Sequence, residues 1–174
     1  MIRCDGPYGD LSFNYRRYGV LVLAGGGIGI TPLLSILKDI YEISEEGPSK
    51  KKPKHCIKTV SLVWVMTHTS EASLFLNLLN DFYEGSLVDS ELPELKLSIH
   101  ITRDNTEIHG HQVKFTRPDF NSIMEQCVDD TDDVTSCLVY GCGPAKMINN
   151  LWDASLEKNS KKMRVDFYHE SFEF

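Results

Sequence analysis

The sequence predicts an α/β fold, a doubly wound five-stranded parallel sheet with helices on both faces. Short apolar or β-branched runs alternate along the chain with stretches whose apolar residues recur every three or four positions. The runs are nearly continuous in hydrophobic residues, as expected for strands that are buried on both faces of a parallel sheet. The length of 174 residues is that of one ordinary domain with its own core.

The five strands are predicted from their β-branched and apolar composition. They cover Val20–Ala24, Val60–Met66, Leu95–Thr102, Cys137–Tyr140 and Met163–Tyr168. Helical spacing of apolar residues predicts four helices between these strands. The helices cover Pro32–Ile43, Ser70–Tyr83, Asp119–Val128 and Pro144–Lys158. The remaining polar segments are interpreted as loops, at Ser44–Lys58, Gly85–Glu94, Asp104–Thr116 and Asp129–Ser136.

Composition and charge exclude several classes of function. The formal net charge of -7 argues against a nucleic-acid partner, which would be repelled. No apolar run approaches the roughly 18 to 20 residues of a membrane helix, so we expect no direct membrane contact. The five cysteines form no CxxC pair, which favours a reducing compartment and no metal site. The pair His109 and His111 lies in a polar stretch without a third ligand and is interpreted as solvent-facing.

A glycine-rich segment follows the first predicted strand and opens the first predicted helix. In "LVLAGGGIGITPLL", four glycines lie between Gly25 and Gly29, and Thr31 and Pro32 follow as a helix N-cap and a first helical residue. Glycines let a phosphate approach the backbone, and the free N–H groups of a helix start attract an anion. The segment predicts a pyrophosphate site, with a merely structural tight turn as the alternative.

A second segment of the same build supports the first. The fourth predicted strand ends in "YGCGP", with Gly141, Gly143 and Pro144 before the next helix. In a doubly wound sheet, strands one and four flank the point where the strand order reverses, and ligands bind there. We therefore expect the two glycine turns to lie side by side and to form one nucleotide crevice.

Two features depart from the usual dinucleotide fingerprint. The position of its third glycine holds Ile30. An acidic residue that closes the second strand and holds the ribose 2′-hydroxyl of NAD is missing, because this strand runs into "MTHTSE".

Six short motifs in order resemble the NAD(P)H domain of the ferredoxin-NADP reductase superfamily, within its ferric reductase and NADPH oxidase branch. The motifs are "DGPYG", "AGGGIGITP", "VWVMTHTSE", "TRPDF", "YGCGP" and the ending "HESFEF". Together they span essentially the whole chain. The resemblance implies a domain that binds NADPH, with NADH as the alternative, and passes hydride to FAD.

The resemblance also implies residue roles. The pyrophosphate would lie on Gly26, Gly27, Ile28 and Gly29, with Thr31 and Pro32 at the helix start and Gly141, Gly143 and Pro144 opposite. Cys142 would lie beside the nicotinamide. The aromatic residue that stacks on the flavin would be Phe172 or Phe174, which share a face in an extended strand.

Coenzyme choice depends on a second group of residues. Where the oxidases have an arginine after the Trp-containing strand, this chain has Thr67, followed by His68. Hydroxyl groups and the two arginines Arg103 and Arg117 could bind a 2′-phosphate. With no acid at the strand end to repel that phosphate, the sequence favours NADPH over NADH.

The resemblance implies a larger protein. Residues 1–12 would be the end of a linker from a flavin-binding barrel, and residues 13–174 the NAD(P)H-binding domain. FAD and haem would be held by that barrel and by a haem-bearing membrane domain of the same polypeptide, absent from this chain. The domain would be the cytoplasmic part of an integral membrane flavocytochrome that reduces ferric iron or oxygen. The alternatives are a soluble flavoenzyme domain of the cytochrome b5 reductase type, and a non-catalytic nucleotide-binding or docking module.

Overall fold

A computed structural model describes residues 13–41, 56–105, 108, 113–129 and 134–171. These residues contain six strands, β1 to β6 in chain order, which form one sheet with the spatial order β4-β3-β2-β1-β5-β6. Every neighbouring pair is parallel. The strands are β1 Val20–Gly26, β2 Thr59–Met66, β3 Glu94–Ile101, β4 Val113–Lys114, β5 Ser136–Gly143 and β6 Arg164–Ser171.

Helices connect the strands. They are α1 Thr31–Tyr41, α2 Thr69–Ala72, α3 Leu76–Val88, α4 Phe120–Asp129 and α5 Ala145–Lys158, with short 3-10 helices at Tyr15–Arg17 and Gly27–Ile30. Within the described ranges, no helix combines the length and the hydrophobicity that crossing a lipid bilayer requires.

The central strand β1 is buried on both faces, as its composition predicts. Leu21 and Leu23 belong to a core that also contains the apolar residues of α1 and α3. Val20 and Val22 point the other way, into a second core with residues of α4 and α5. The predicted arrangement, a parallel sheet with helices on both faces, is therefore confirmed.

The predicted number of five strands is wrong for this structure, which has a sixth at the sheet edge. Strand β4 is two residues long and pairs with β3, with Val113 opposite Ile99 and Lys114 opposite His100. It lies in the segment interpreted as a polar loop. Two residues are too few to show the period-two alternation by which a strand is recognised in a sequence.

The single helix predicted over Ser70–Tyr83 is two helices, α2 and α3. The chain turns at 73–75 between them, and the ring of Phe75 packs at 6.0 Å from that of Trp64 on β2. The apolar residues of both helices keep helical spacing across the turn, so periodicity alone does not reveal the interruption.

Candidate functional site

The two glycine turns lie side by side at the carboxyl ends of adjacent strands. Strand β1 pairs with both β2 and β5, and the strand order reverses between β1 and β5. In the β1–β5 register, Gly25 lies opposite Cys142. We call residues Gly25–Gly29 the first glycine turn and Gly141–Pro144 the second, and their predicted juxtaposition is confirmed.

The two turns contact each other closely enough to require glycine. A Cβ atom added at Gly29 would lie 2.2 Å from the carbonyl oxygen of Cys142. One added at Gly143 would lie 3.0 Å from the backbone nitrogen of Gly26, and one added at Gly26 would lie 2.6 Å from Cδ of Pro144. Backbone atoms cannot move away as a flexible side chain can, so these glycines permit close packing of the two turns.

The first glycine turn bends at Gly27 and is held there by a tryptophan. Gly27 has a φ of 53°, a left-handed conformation that favours glycine. The indole Nε1 of Trp64 donates a hydrogen bond to the carbonyl oxygen of Gly27 at 2.9 Å. Trp64 lies on β2 and is almost fully buried, so the turn is fixed to the sheet from below.

The predicted N-cap role of Thr31 is wrong. The 3-10 helix Gly27–Ile30 continues directly into α1, and Thr31 itself has helical backbone angles. Its hydroxyl donates to the carbonyl oxygen of Ile28 at 3.0 Å and does not accept from the following N–H groups. Pro32 is accordingly the second helical residue rather than the first.

A cavity of about 630 Å³ opens above the two turns. Its base is formed by Gly26, Gly27 and Ile28 of the first turn and by Gly143 and Pro144 of the second. The side chain of Ile28 is 58% exposed, so the base presents backbone and one apolar side chain. A cavity of this size is in the range of small-molecule and cofactor sites.

Among the residues that the structure describes, three cationic side chains line the cavity. Arg103 follows β3, Arg117 follows β4, and Lys146 lies in the first turn of α5. The two arginines were predicted, whereas sequence reasoning missed Lys146. Its position in the first turn of the helix that follows a glycine turn is the signal that could have identified it.

The two arginines are positioned by the backbone around them. The N–H of Arg103 donates to the carbonyl oxygen of Thr67 at 3.1 Å. Next to Arg117, the carbonyl oxygen of Thr116 accepts from Nδ1 of His100 at 2.8 Å, and Nε2 of His100 lies 3.0 Å from the hydroxyl of Ser98. Burial lowers the pKa of His100 below its ordinary value, so the neutral ring holds this contact.

The expectation that no acid lies at the end of the second strand is wrong. Glu71 lies in α2, and its carboxylate turns back to the end of β2 and lines the cavity. Its Oε1 accepts from the N–H of Thr67 at 3.1 Å and from that of His68 at 3.0 Å. The sequence concealed this acid because it comes five positions after Met66, where β2 ends.

Of the two phosphate-binding residues predicted after β2, Thr67 and His68, only Thr67 is among the described residues that line the cavity. Thr67 lines the cavity, but its hydroxyl donates to Glu71 and is already engaged. The side chain of His68 is exposed and is not among the described residues that line the cavity. The phosphate-binding role of these two residues stays a prediction.

Cys142 lies beneath the cavity rather than on its wall. It is fully buried, next to Gly29 of the first turn. Burial, with a smaller contribution from the negative charge of Glu170, raises the pKa of the thiol to about 11.

Gly141 packs against Ile148 and Leu151 of α5, so it contributes to helix packing. The predicted flavin-stacking residues, Phe172 and Phe174, lie outside the described residues.

Helix α5 supplies further wall residues that sequence reasoning missed. Met147 and Asn150 line the cavity beside Lys146, one helical turn apart. Phe120, at the start of α4, and Thr102 complete the wall near the arginines. The cavity lining thus contains both polar and apolar side chains.

A parallel sheet with a cavity over two glycine turns, at the point where the strand order reverses, defines a nucleotide-binding α/β domain. Comparisons with known proteins support this class. The sequence pattern of the ferric reductase NAD binding domain family matches residues 18–112. This chain belongs to that family.

Two relatives illustrate the similarity in sequence. The respiratory burst oxidase homolog protein B of Oryza sativa subsp. japonica is 28% identical over 202 residues, which cover 97% of this chain and 22% of the relative. NADPH oxidase 1 of Mus musculus is 32% identical over 110 residues, 63% of this chain and 18% of the relative. The chain therefore spans about a fifth of the length of the curated relatives that it matches.

Solved structures share the fold. Ferredoxin-NADP+ reductase from Plasmodium falciparum with 2′P-AMP superimposes with a TM-score of 0.56 at 13% identity, over 92% of this chain and 58% of that chain. The fold is thus shared with part of a ferredoxin-NADP+ reductase chain.

Proposed function

We propose that the cavity binds a nicotinamide coenzyme, NADPH in preference to NADH, and that the chain is the coenzyme-binding domain of a flavocytochrome. The observation that carries the proposal is the direct contact between the two glycine turns. A single dinucleotide that lies across both turns would contact backbone on either side of the strand-order reversal, where doubly wound domains bind their ligands.

The residues present fit a pyrophosphate. At Gly27, which lines the cavity, the nearest atom to an added Cβ is Oε2 of Glu71 at 3.6 Å, so the backbone of the first glycine turn is accessible there. The 3-10 helix Gly27–Ile30 runs on into α1, and the start of this continuous helix gives the base a positive end. Lys146, at the start of α5, adds a positive charge to the cavity. Gly26, Gly27 and Ile28 would then hold the phosphates while Gly29 keeps the second turn close.

The arginines provide the basis for preferring NADPH. Arg103 and Arg117 both line the cavity beyond the end of β2 and β3. A guanidinium matches the geometry of a phosphate with two parallel hydrogen bonds. We assign these two residues to the adenosine side of the coenzyme, where a 2′-phosphate would distinguish NADPH from NADH.

The second glycine turn lies on the nicotinamide side in this proposal. The buried thiol of Cys142 packs under Gly29 and would support the surface on which the nicotinamide lies, without blocking the approach to it. Phe172 or Phe174 would complete this side as the residue that stacks on the flavin.

We extend the proposal to the whole protein of which this chain is a part. When bound, the coenzyme supplies hydride to a FAD held by a flavin-binding barrel of the same polypeptide, and electrons continue through haem to ferric iron or oxygen. In this proposal residues 1–12 come from the linker to that barrel, and residues 13–174 are the cytoplasmic coenzyme domain of a membrane protein. The chain's own residues bind and orient the coenzyme.

Calorimetric titration of the 174-residue chain with NADPH and NADH tests the proposal. We expect both to bind and NADPH to bind more tightly. The variant Arg117→Gln should weaken NADPH binding about tenfold and NADH binding much less, because it removes a charged partner of the 2′-phosphate. Arg17→Gln is the matched control, since Arg17 is exposed in the segment before β1 and far from the cavity in the fold.

Two results would contradict the proposal. An absence of binding heat for both coenzymes at millimolar concentration would favour a docking module instead. If Arg117→Gln weakens the binding of NADPH and of NADH equally, Arg117 does not contact the 2′-phosphate.

A further inference from the structure

The carboxylate of Glu71 is held in a fixed place beside the first glycine turn. Its Oε1 accepts hydrogen bonds from the backbone N–H groups of Thr67 and His68 and from the hydroxyl of Thr67. Its Oε2 faces Gly27, 3.6 Å from the position that a Cβ would take there. A side chain with one oxygen bound three times has little freedom to move away from the cavity.

The same hydrogen bonds keep this group ionised. Partial burial acts to raise the pKa of Glu71, but the hydrogen bonds from Thr67 and His68 outweigh it and leave the pKa below its ordinary value. At neutral pH Glu71 therefore places a fixed negative charge on the cavity wall, among the cations Arg103, Arg117 and Lys146.

The carboxylate of Glu71 reaches from the end of β2, where Oε1 is held by Thr67 and His68, toward Gly27. It therefore lies where we expect the adenosine ribose, next to the pyrophosphate on the first glycine turn. In doubly wound domains the end of the strand next to the glycine-rich one lies beside the adenosine ribose, and an acid there accepts from its 2′-hydroxyl. Glu71 reaches this place from α2 although it does not close β2 in sequence. NADPH carries a phosphate of about two negative charges at that hydroxyl.

We propose that Glu71 is a specificity-determining residue that disfavours the 2′-phosphate and accepts the free ribose diol, so that it opposes the two arginines. This inference rests on the proposed function of the cavity. Selectivity is a difference of affinities and is set by repulsive as well as attractive groups. Glu71 thus limits the preference for NADPH that Arg103 and Arg117 create.

The substitution Glu71→Gln tests this role. Glutamine keeps the shape and the acceptor oxygen of the side chain but removes its charge. The ratio of the NADH to the NADPH dissociation constant, measured by calorimetry, should rise about fivefold or more because a charge repulsion is lost. Glu84→Gln removes a charge of the same type from the exposed face of α3 and should leave the ratio unchanged.

A second pair of ligands isolates the adenosine side. Adenosine 2′,5′-bisphosphate and AMP differ by the 2′-phosphate alone. Glu71→Gln should raise affinity for the bisphosphate about fivefold and leave that for AMP equal or lower. If Glu71→Gln does not fold, as judged by circular dichroism, Glu71→Ala serves with the same ligands and the same expectation.

The outcomes separate the two claims. If the unaltered chain binds neither coenzyme nor either adenosine nucleotide, the proposed function fails, and this inference fails with it. If the chain binds them but the ratio changes no more in Glu71→Gln than in Glu84→Gln, Glu71 has no part in selectivity and the proposed function stands.

Discussion

The indole nitrogen of Trp64 lies 2.9 Å from the carbonyl oxygen of Gly27 and donates a hydrogen bond to it. This contact joins the middle of the sheet to the single described glycine with a left-handed backbone. A buried side chain that fixes a turn reduces the conformations that the turn must give up when a ligand binds. Trp64 therefore acts as a positioning residue for the first glycine turn.

The substitution Trp64→Phe should weaken coenzyme binding. It removes the donor for the Gly27 carbonyl and leaves a gap in the core, so we expect a loss of about 2 kcal/mol in the free energy of unfolding. The turn should become less ordered, and the affinity for NADPH should fall about tenfold. Urea unfolding and calorimetry measure the two effects.

Trp152→Phe is the matched control for this substitution. Trp152 is 43% exposed on α5 and packs against Phe167. We expect unchanged coenzyme affinity, and Trp64 then remains as the sole tryptophan of the chain. Its fluorescence should respond to binding. Equal losses of affinity in both variants would remove the positioning role of Trp64.

The substitution Gly29→Ala should disrupt the contact between the two glycine turns. The new methyl group would overlap the carbonyl oxygen of Cys142 at 2.2 Å, and Cys142 cannot withdraw without breaking the pairing of β5 with β1 and β6. We expect a destabilisation of about 3 kcal/mol and a large loss of coenzyme affinity. Thermal unfolding followed by circular dichroism measures the first.

Gly85→Ala tests whether that loss is specific to position 29. Gly85 lies within α3, where an added Cβ has no atom within 4 Å among the described residues. Alanine favours a helix over glycine, so this variant should be more stable by about 0.5–1 kcal/mol. A Gly29→Ala protein as stable as the Gly85→Ala protein would contradict the close packing described here.

The cysteines should differ in reactivity. The pKa of about 11 at Cys142 leaves only about one thiol in a thousand ionised at pH 8, and the side chain is buried. Cys56 is exposed. Brief treatment with iodoacetamide at pH 8, followed by peptide mass spectrometry, should modify Cys56 and leave Cys142 intact. Similar rates at both sites would contradict the burial of Cys142.

The stability of the domain should fall in mild acid because of His100. Burial lowers its pKa in the folded chain below 6.5, the ordinary value. Below pH 6.5 the unfolded chain therefore binds more protons than the folded one, and acid favours unfolding. The contribution is complete above pH 6.5 and is lost as the pH falls toward the folded pKa, with a slope of up to about 1.4 kcal/mol per pH unit.

Comparison of variants isolates this contribution. His100→Gln should show a flatter dependence of unfolding free energy on pH between 6.5 and 5 than the unaltered chain. His169→Gln, at an exposed position on β6, should keep the original slope. If the slope of His100→Gln equals that of the unaltered chain, His100 is not held neutral by the fold.

The sequence predicted the sheet and the two glycine turns because these features depend on neighbouring residues. Hydrophobic runs define β1 and β5, and glycine followed by proline marks both turns. Their juxtaposition followed from the topology rule for doubly wound sheets. Arg117 was predicted through the resemblance, and Arg103 from its position after the third predicted strand, since a lone arginine has no pattern of its own.

What the sequence concealed depends on the path of the backbone. Glu71 reaches the end of β2 only because α2 turns its carboxylate back onto Thr67 and His68. Lys146 reaches the cavity through the direction of α5. The wrong prediction of an N-cap at Thr31 has a similar origin. The 3-10 helix Gly27–Ile30 precedes α1, and the backbone N–H of Thr31 already donates to the carbonyl oxygen of Ile28.

The central place of β1 has a consequence during synthesis on the ribosome. Until the residues of β5 emerge, β1 has a partner on one side only, and its other edge presents unpaired amide groups beside a wholly apolar strand. A nascent or truncated product that stops before residue 136 would thus expose the unpaired apolar edge of β1. Chaperones bind exposed apolar segments of this kind. Translation products of this kind should therefore aggregate, while those that extend through β6, the partner of β5, stay dispersed.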